Sequence, residues 1–174
     1  MTLRTIVTLP DPVLRRKARA VTKFDKELQT IIDDMIETMR EAPGVGLAAP
    51  QIGLSERLIV VEYYENDEAE QDENEAKKKV WVMLNPEIVK ASEEKVMGVE
   101  GCLSIPNLVG EVERHEVIQV KGLNRRGQPM RVKATGWLAR IFQHEIDHVN
   151  GVVFTDRAVR VWLPETEEEK EDRV

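Results

Sequence analysis

Apolar residues recur at three- and four-residue steps through Leu28, Ile32, Met35, Ile36 and Met39. That spacing predicts an amphipathic helix that starts near Asp25 and ends at Pro43-Gly44. Residues 57–61 and 80–84 are short β-rich runs instead, and they predict two strands of a hairpin with a long charged tip between them. Residues 87–96, 108–112, 116–122 and 130–134 add four β-like stretches, and Asn124-Arg125-Arg126-Gly127 is the expected turn between the last two. Near the start, Asp11 of Pro10-Asp11-Pro12 is placed to cap a short helix running through Leu14 to Ala18. A further helix from Gly136 to about Val149 is bracketed by Thr135 as N-cap and by Asn150-Gly151 as a stop. Strands that precede a late helix without regular βαβ alternation predict an α+β fold, with mainly antiparallel β-sheets packed around that helix.

A chain of 174 residues fits one domain and buries about two thirds of the surface its unfolded form exposes. We therefore expect residues 1–174 to form a single catalytic unit, with an acidic loop near 65–79 and a polar tail at 164–174. Hydrophobic residues make up 41% and charged residues 33%, which is ordinary for a soluble globular protein. No stretch approaches the roughly 20 apolar residues of a membrane span, and the first residues lack a signal-peptide pattern. The expectation is a cytoplasmic protein with no membrane partner. A net charge of −7 argues against a broad phosphate-binding surface, so no direct nucleic-acid binding is expected. Much of that charge lies in residues 62–75 and 165–172, so the remaining body is closer to balanced.

The late helix carries His144-Glu145-Ile146-Asp147-His148. Histidines at i and i+4 face the same side of a helix and can share one cation, while Glu145 beside them can act as a general base. A third ligand has to come from a short inventory. Position 154, six residues past His148, is Phe154, which removes one common source; Glu165 sits in a polar tail; His115 is the only other histidine. Cys102, the single cysteine, is the better candidate, because the glycine before it permits close backbone approach and a thiolate binds Zn²⁺ or Fe²⁺ strongly. A Cys/His/His set leaves an open position, as catalytic sites do. The oxyanion formed when a carbonyl is attacked needs further donors, and Gly44-Val45-Gly46-Leu47-Ala48-Ala49-Pro50-Gln51 ends in an amide that can supply one. By itself, the two-histidine motif also fits a small zinc endopeptidase or a non-catalytic metal-binding module.

Taken together, the segment 44–51, Glu100-Gly101-Cys102-Leu103-Ser104 and Gln143-His144-Glu145-Ile146-Asp147-His148 resemble the three motifs of the peptide deformylase family, in the family's order. The resemblance extends to Pro10-Asp11-Pro12-Val13-Leu14 and Gly151-Val152-Val153-Phe154, and so covers most of residues 5–156. It implies hydrolysis of the N-formyl group from the formyl-methionine of nascent polypeptides, with release of formate. It also implies that Cys102, His144 and His148 hold one divalent metal ion, with Fe²⁺ expected and Zn²⁺ or Ni²⁺ as alternatives. Glu145 would relay the proton, and Gln51 and the backbone N–H of Leu103 would stabilise the oxyanion. Family positions that bind substrate match Val45, Gly46, Gly101, Trp137, Arg140 and Ile141, together with His144; Arg114 and Asp147 match positions that support the ligands. For Arg140, the methylene stem is expected to line the pocket while the guanidinium reaches solvent or a substrate carbonyl. The partners implied are formyl-methionyl N-termini. Residues after Pro164 do not match the basic C-terminal helix that docks some relatives on the ribosome, so ribosome association is left open.

Overall fold

Leu58, Ile59, Val60 and Val61 are all buried, so this strand is covered on both faces. The described structure, a computed structural model, comprises residues 2–65 and 77–166. Most of the predicted acidic loop, and the tail beyond residue 166, lie outside the described residues. The elements are α1 (Lys26–Glu41), β1 (Gly46–Ala48), β2 (Leu58–Tyr64), β3 (Lys78–Ala91), β4 (Lys95–Cys102), β5 (Ile105–His115), β6 (Val117–Leu123), β7 (Pro129–Thr135), α2 (Gly136–Val149), α3 (Phe154–Arg157) and β8 (Arg160–Trp162). Among the described residues two sheets form, both antiparallel: five strands in the order β1-β2-β3-β6-β7, and three in the order β4-β5-β8. This is an α+β architecture with antiparallel sheets, as the pattern predicts.

The alternation of side chains along a strand explains the double burial of β2. Ile59 and Val61 point into a cluster with Trp81, Met83, Ile118 and Val120 of the sheet and Leu138, Phe142, Ile146 and Val149 of α2. Leu58 and Val60 point the other way, into a cluster with Leu28, Ile32, Met35 and Met39 of α1. The α1 stripe is thus the predicted one, and Asp25 caps it by accepting from the Leu28 backbone N–H at 3.0 Å. Phe142 is fully buried and meets Trp81 edge-on, with ring centroids 5.8 Å apart. On its other side α2 reaches the smaller sheet, where the Gln143 amide donates to His115 O and accepts from His115 N.

Two local expectations are corrected, and two short strands were not predicted. The run 87–96 is not one strand, because β3 continues through Pro86 to Ala91 and β4 begins only at Lys95. Pro86 is tolerated because the β3–β6 register shifts between Leu84 and Glu87, a bulge where the missing N–H has no ladder partner to lose. Neighbouring Asn85 adopts a φ of 52°, and its side-chain amide pairs with both the N–H and the carbonyl of Val21. The helix expected through Leu14 to Ala18 is a single 3-10 turn at Pro12–Arg15, capped as expected by Asp11. Beyond it Ala18 N donates to Val149 O and Arg19 bridges to Glu56, so the chain is extended there. Finally, β1 and β8 are three-residue strands, too short to show a hydrophobic period. Among the described residues no helix is long and apolar enough to cross a membrane.

Candidate metal centre

The helix α2 begins after Thr135 and stops at Asn150, with Gly151 at a φ of 76°, close to the predicted bounds. It holds His144 and His148 one turn apart with ring centroids at 5.1 Å. Strand β4 ends on Cys102, whose Sγ lies 3.3 Å from His148 Nε2. One donor atom from each of Cys102, His144 and His148 falls within 4.8 Å of the other two. His144 Nδ1 is engaged by Glu100 Oε1 at 2.8 Å, which leaves Nε2 as the nitrogen that joins the cluster. A soft thiolate with two imidazoles suits Fe²⁺, Zn²⁺ or Ni²⁺. The set fits a single bound ion in a further respect: Glu145 Oε2 is buried beside it without a hydrogen-bond partner among the described residues. His115, the alternative ligand, is elsewhere, its Nδ1 2.7 Å from Ser92 O.

Behind the donors lies a buried ionic network. The Arg114 guanidinium forks onto Glu100, with Nε 2.9 Å from Oε2 and a terminal nitrogen 2.8 Å from Oε1. Arg114 also donates to Asp147 Oδ2 at 2.6 Å, and Arg157 closes on both oxygens of Asp147. Burial raises the Glu100 pKa, but hydrogen bonds and charge from Arg114 and His144 outweigh it and hold the carboxyl well below the usual carboxylate range. Among the protein groups alone, burial lowers the His144 pKa, while Cys102, Glu100 and Glu145 together push it up to about 10. Burial drives His148 well below the ordinary histidine value, helped by the charges of His144 and Arg114. Glu145 is pushed up to about 7, chiefly by burial, with His144 pulling the other way.

A cavity of about 390 Å³ opens onto these groups. Gly44, Val45, Gly46, Gln51, Gly101, Leu103, Trp137, Arg140, Ile141, His144 and Glu145 all contribute to its wall, so the residues expected to bind substrate and to stabilise the oxyanion converge there. Arg114, Asp147 and His148 lie behind it. Gln51 is oriented by its own loop: its Oε1 accepts from Ala48 N at 3.0 Å, which turns Nε2 towards Ser104 Oγ at 3.3 Å and Cys102 Sγ at 3.5 Å. Gly46 is required by proximity, since a Cβ there would stand 2.8 Å from Glu145 Oε1. Arg140 lines the cavity as expected, but its guanidinium does not reach solvent: it is buried against Glu100 and two strand carbonyls. Glu100 and Ser104 were quoted within a motif without a role; the glutamate's burial beside two arginines could not be read from local pattern.

The polypeptide deformylase family profile matches residues 3–162. A peptide deformylase of Symbiobacterium thermophilum is 48% identical over all of this chain and 76% of its own length. One from Alkaliphilus metalliredigens is 46% identical over 92% of this chain and 99% of its own. The crystal structure of the peptide deformylase from Thermotoga maritima superposes with a TM-score of 0.80 at 41% identity, covering 92% of this chain and all of that one. With fold, donor set and sequence in agreement, this chain belongs to the polypeptide deformylase family.

Proposed function

We propose that this chain is a metal-dependent hydrolase that removes the N-formyl group from formyl-methionyl N-termini of nascent polypeptides and releases formate. The observation that carries this reading is the convergence of Cys102, His144 and His148 within 4.8 Å, with Cys102 and His144 lining a cavity that Gln51 and Glu145 also line and His148 directly behind it. Residues 1–174 act as one catalytic unit in the cytoplasm, with α2 as the central helix between the sheets. Cys102, His144 and His148 would hold one divalent ion, Fe²⁺ first, with Zn²⁺ or Ni²⁺ able to replace it. Such an ion supplies Lewis acidity and lowers the pKa of water near it.

The protein's own groups do the rest. Glu145 takes a proton from the attacking water and delivers it to the leaving amine nitrogen, a role that suits a buried carboxyl beside the donor set with one oxygen unpaired among the described residues. Gln51 donates through Nε2 to the oxygen that gains charge; Ala48 N fixes the plane of its amide through Oε1, and the long contact of Nε2 with Cys102 Sγ is the one given up to the oxyanion. The backbone N–H of Leu103 is the second donor in this scheme. Val45, Gly46, Gly101, Trp137 and Ile141 receive the methionine side chain and the adjacent backbone. Arg114 and Asp147 hold the ligands through Glu100 and through α2 itself.

The test is steady-state formate release from a formyl-Met-Ala peptide by anaerobically Fe²⁺-loaded protein. Formate release without cleavage of internal peptide bonds is the expected result. Endopeptidase cleavage, or no turnover by fully loaded protein, would refute the proposal.

A further inference from the structure

Arg140 precedes His144 by one helical turn, and its side chain is 5% exposed as a residue. One terminal nitrogen donates to Glu100 Oε2 at 2.7 Å and to Val112 O at 2.8 Å; the other donates to Val96 O at 2.7 Å. Val96 lies on β4 and Val112 on β5, so a single guanidinium ties α2 to both strands. Trp137 covers it, with the ring centroid 5.4 Å from Cζ. With Arg140 in place each Glu100 oxygen accepts two donors: His144 Nδ1 and Arg114 on Oε1, and Arg114 and Arg140 on Oε2. A carboxylate held on all sides cannot rotate, and the ring of His144 is fixed with it.

Gly98 is the other half of the arrangement. It pairs with Val112 across β4–β5, and a Cβ on it would stand 2.6 Å from Arg140 Cζ and 2.8 Å from Nε. Real Cβ contacts do not come so close, and the guanidinium has three hydrogen bonds that resist displacement. Strand β4 delivers Cys102, while α2 delivers the two histidines. The contact between Gly98 and Arg140 therefore sets how near the thiol comes to the imidazoles.

We infer that Arg140 is a positioning residue of the Cys102/His144/His148 centre, matched to Gly98, and that it does not recognise substrate. This rests on reading the centre as a metal site. Lysine cannot substitute fully, because one ammonium cannot satisfy a carboxylate and two divergent carbonyls in the way a planar fork does.

The test is Co²⁺ affinity by chelator competition, with the absorption spectrum at saturation, for the full-length wild type, Arg140→Ala, Arg140→Lys, Gly98→Ala and the Gly98→Ala/Arg140→Ala pair. Arg140→Ala is expected to weaken binding by about 10- to 100-fold and to shift the cobalt bands, with Arg140→Lys recovering part of the loss. Gly98→Ala should weaken binding by about 10-fold when Arg140 is present and have no further effect in the Arg140→Ala background, the signature of one shared contact. If Arg140→Ala does not fold, Gly98→Ala against wild type decides. Affinities and spectra within about twofold of wild type overturn the inference, as does a raised KM for formyl-peptides with unchanged metal affinity. Wild-type protein that takes up no Co²⁺ overturns the metal reading and this inference with it.

Discussion

Replacing Gly46 by alanine adds one carbon beside the proposed proton carrier and touches little else. Gly46 is not among the residues with positive φ, so alanine meets no backbone strain there. Its Cβ would lie 2.8 Å from Glu145 Oε1, 2.9 Å from Cγ and 3.0 Å from Cδ. To reach an ordinary contact of about 3.4 Å, the carboxyl has to retreat by about 0.6 Å from its place beside the donor set. Misplacing a reacting group by about 1 Å costs on the order of 100-fold in rate. Gly46→Ala should therefore lower kcat by about 10- to 100-fold, equivalent to about 1.4–2.7 kcal/mol of barrier. The assay is formate release with kcat and KM resolved, alongside metal content and thermal melting. Gly44→Ala is the control, because its new Cβ would meet only Leu103 Cδ1 at 3.3 Å and more distant atoms. Full kcat in Gly46→Ala would refute the placement of Glu145 at the proton-transfer step. A loss of rate matched by a loss of bound metal would refute the steric argument.

Three further outcomes are expected. Glu145→Ala should fold, bind its ion and turn over at least about 100-fold more slowly, since general acid–base groups contribute that much; wild-type turnover would assign the proton step elsewhere. Phe142→Ala removes a fully buried ring from the α2 side of the core and should cost about 3–5 kcal/mol in urea unfolding; a loss below about 1 kcal/mol would mean that this cluster does not carry the fold. Asp34 is driven up by burial but pulled down further by the Thr2 N–H and the Arg4 guanidinium, so its pKa is lowered in the folded state. A lowered carboxylate pKa stabilises the fold above the unfolded value, about pH 4, and the benefit disappears as pH falls through the folded pKa. Asp34→Asn should thus lose about 1 kcal/mol at pH 7 and progressively less below pH about 4, as followed by melting temperature; an equal loss at every pH would contradict the linkage.

The parts of the molecule legible in its sequence are those governed by local period and by spacing. The α1 stripe, the bounds of α2 and the turn at Asn124–Gly127 follow from side-chain periodicity and capping chemistry, and the structure places them as read. Cys102 could be favoured as third donor from the poverty of alternatives. The network behind it could not be read in this way. Glu100 pairs with residues 14, 40 and 44 positions away, and no local pattern marks those meetings. The tip of Arg140 was misjudged for the same reason: the family resemblance makes it a pocket residue, and it does line the cavity wall, but only the approach of β4 and β5 gives its guanidinium buried acceptors instead of solvent. The predicted break between runs 80–84 and 87–96 falls at Pro86, which cannot donate to a ladder. The β3–β6 bulge removes that requirement at this position.

The central claim is that one sulfur and two ring nitrogens grip the same ion. X-ray absorption at the metal edge of Zn²⁺-loaded protein measures this directly. The account predicts one sulfur neighbour at about 2.3 Å and two imidazole nitrogens at about 2.0–2.1 Å, with the sulfur shell lost in Cys102→Ala. A first shell of nitrogen and oxygen alone in the wild type, or a sulfur shell that survives Cys102→Ala, would contradict it.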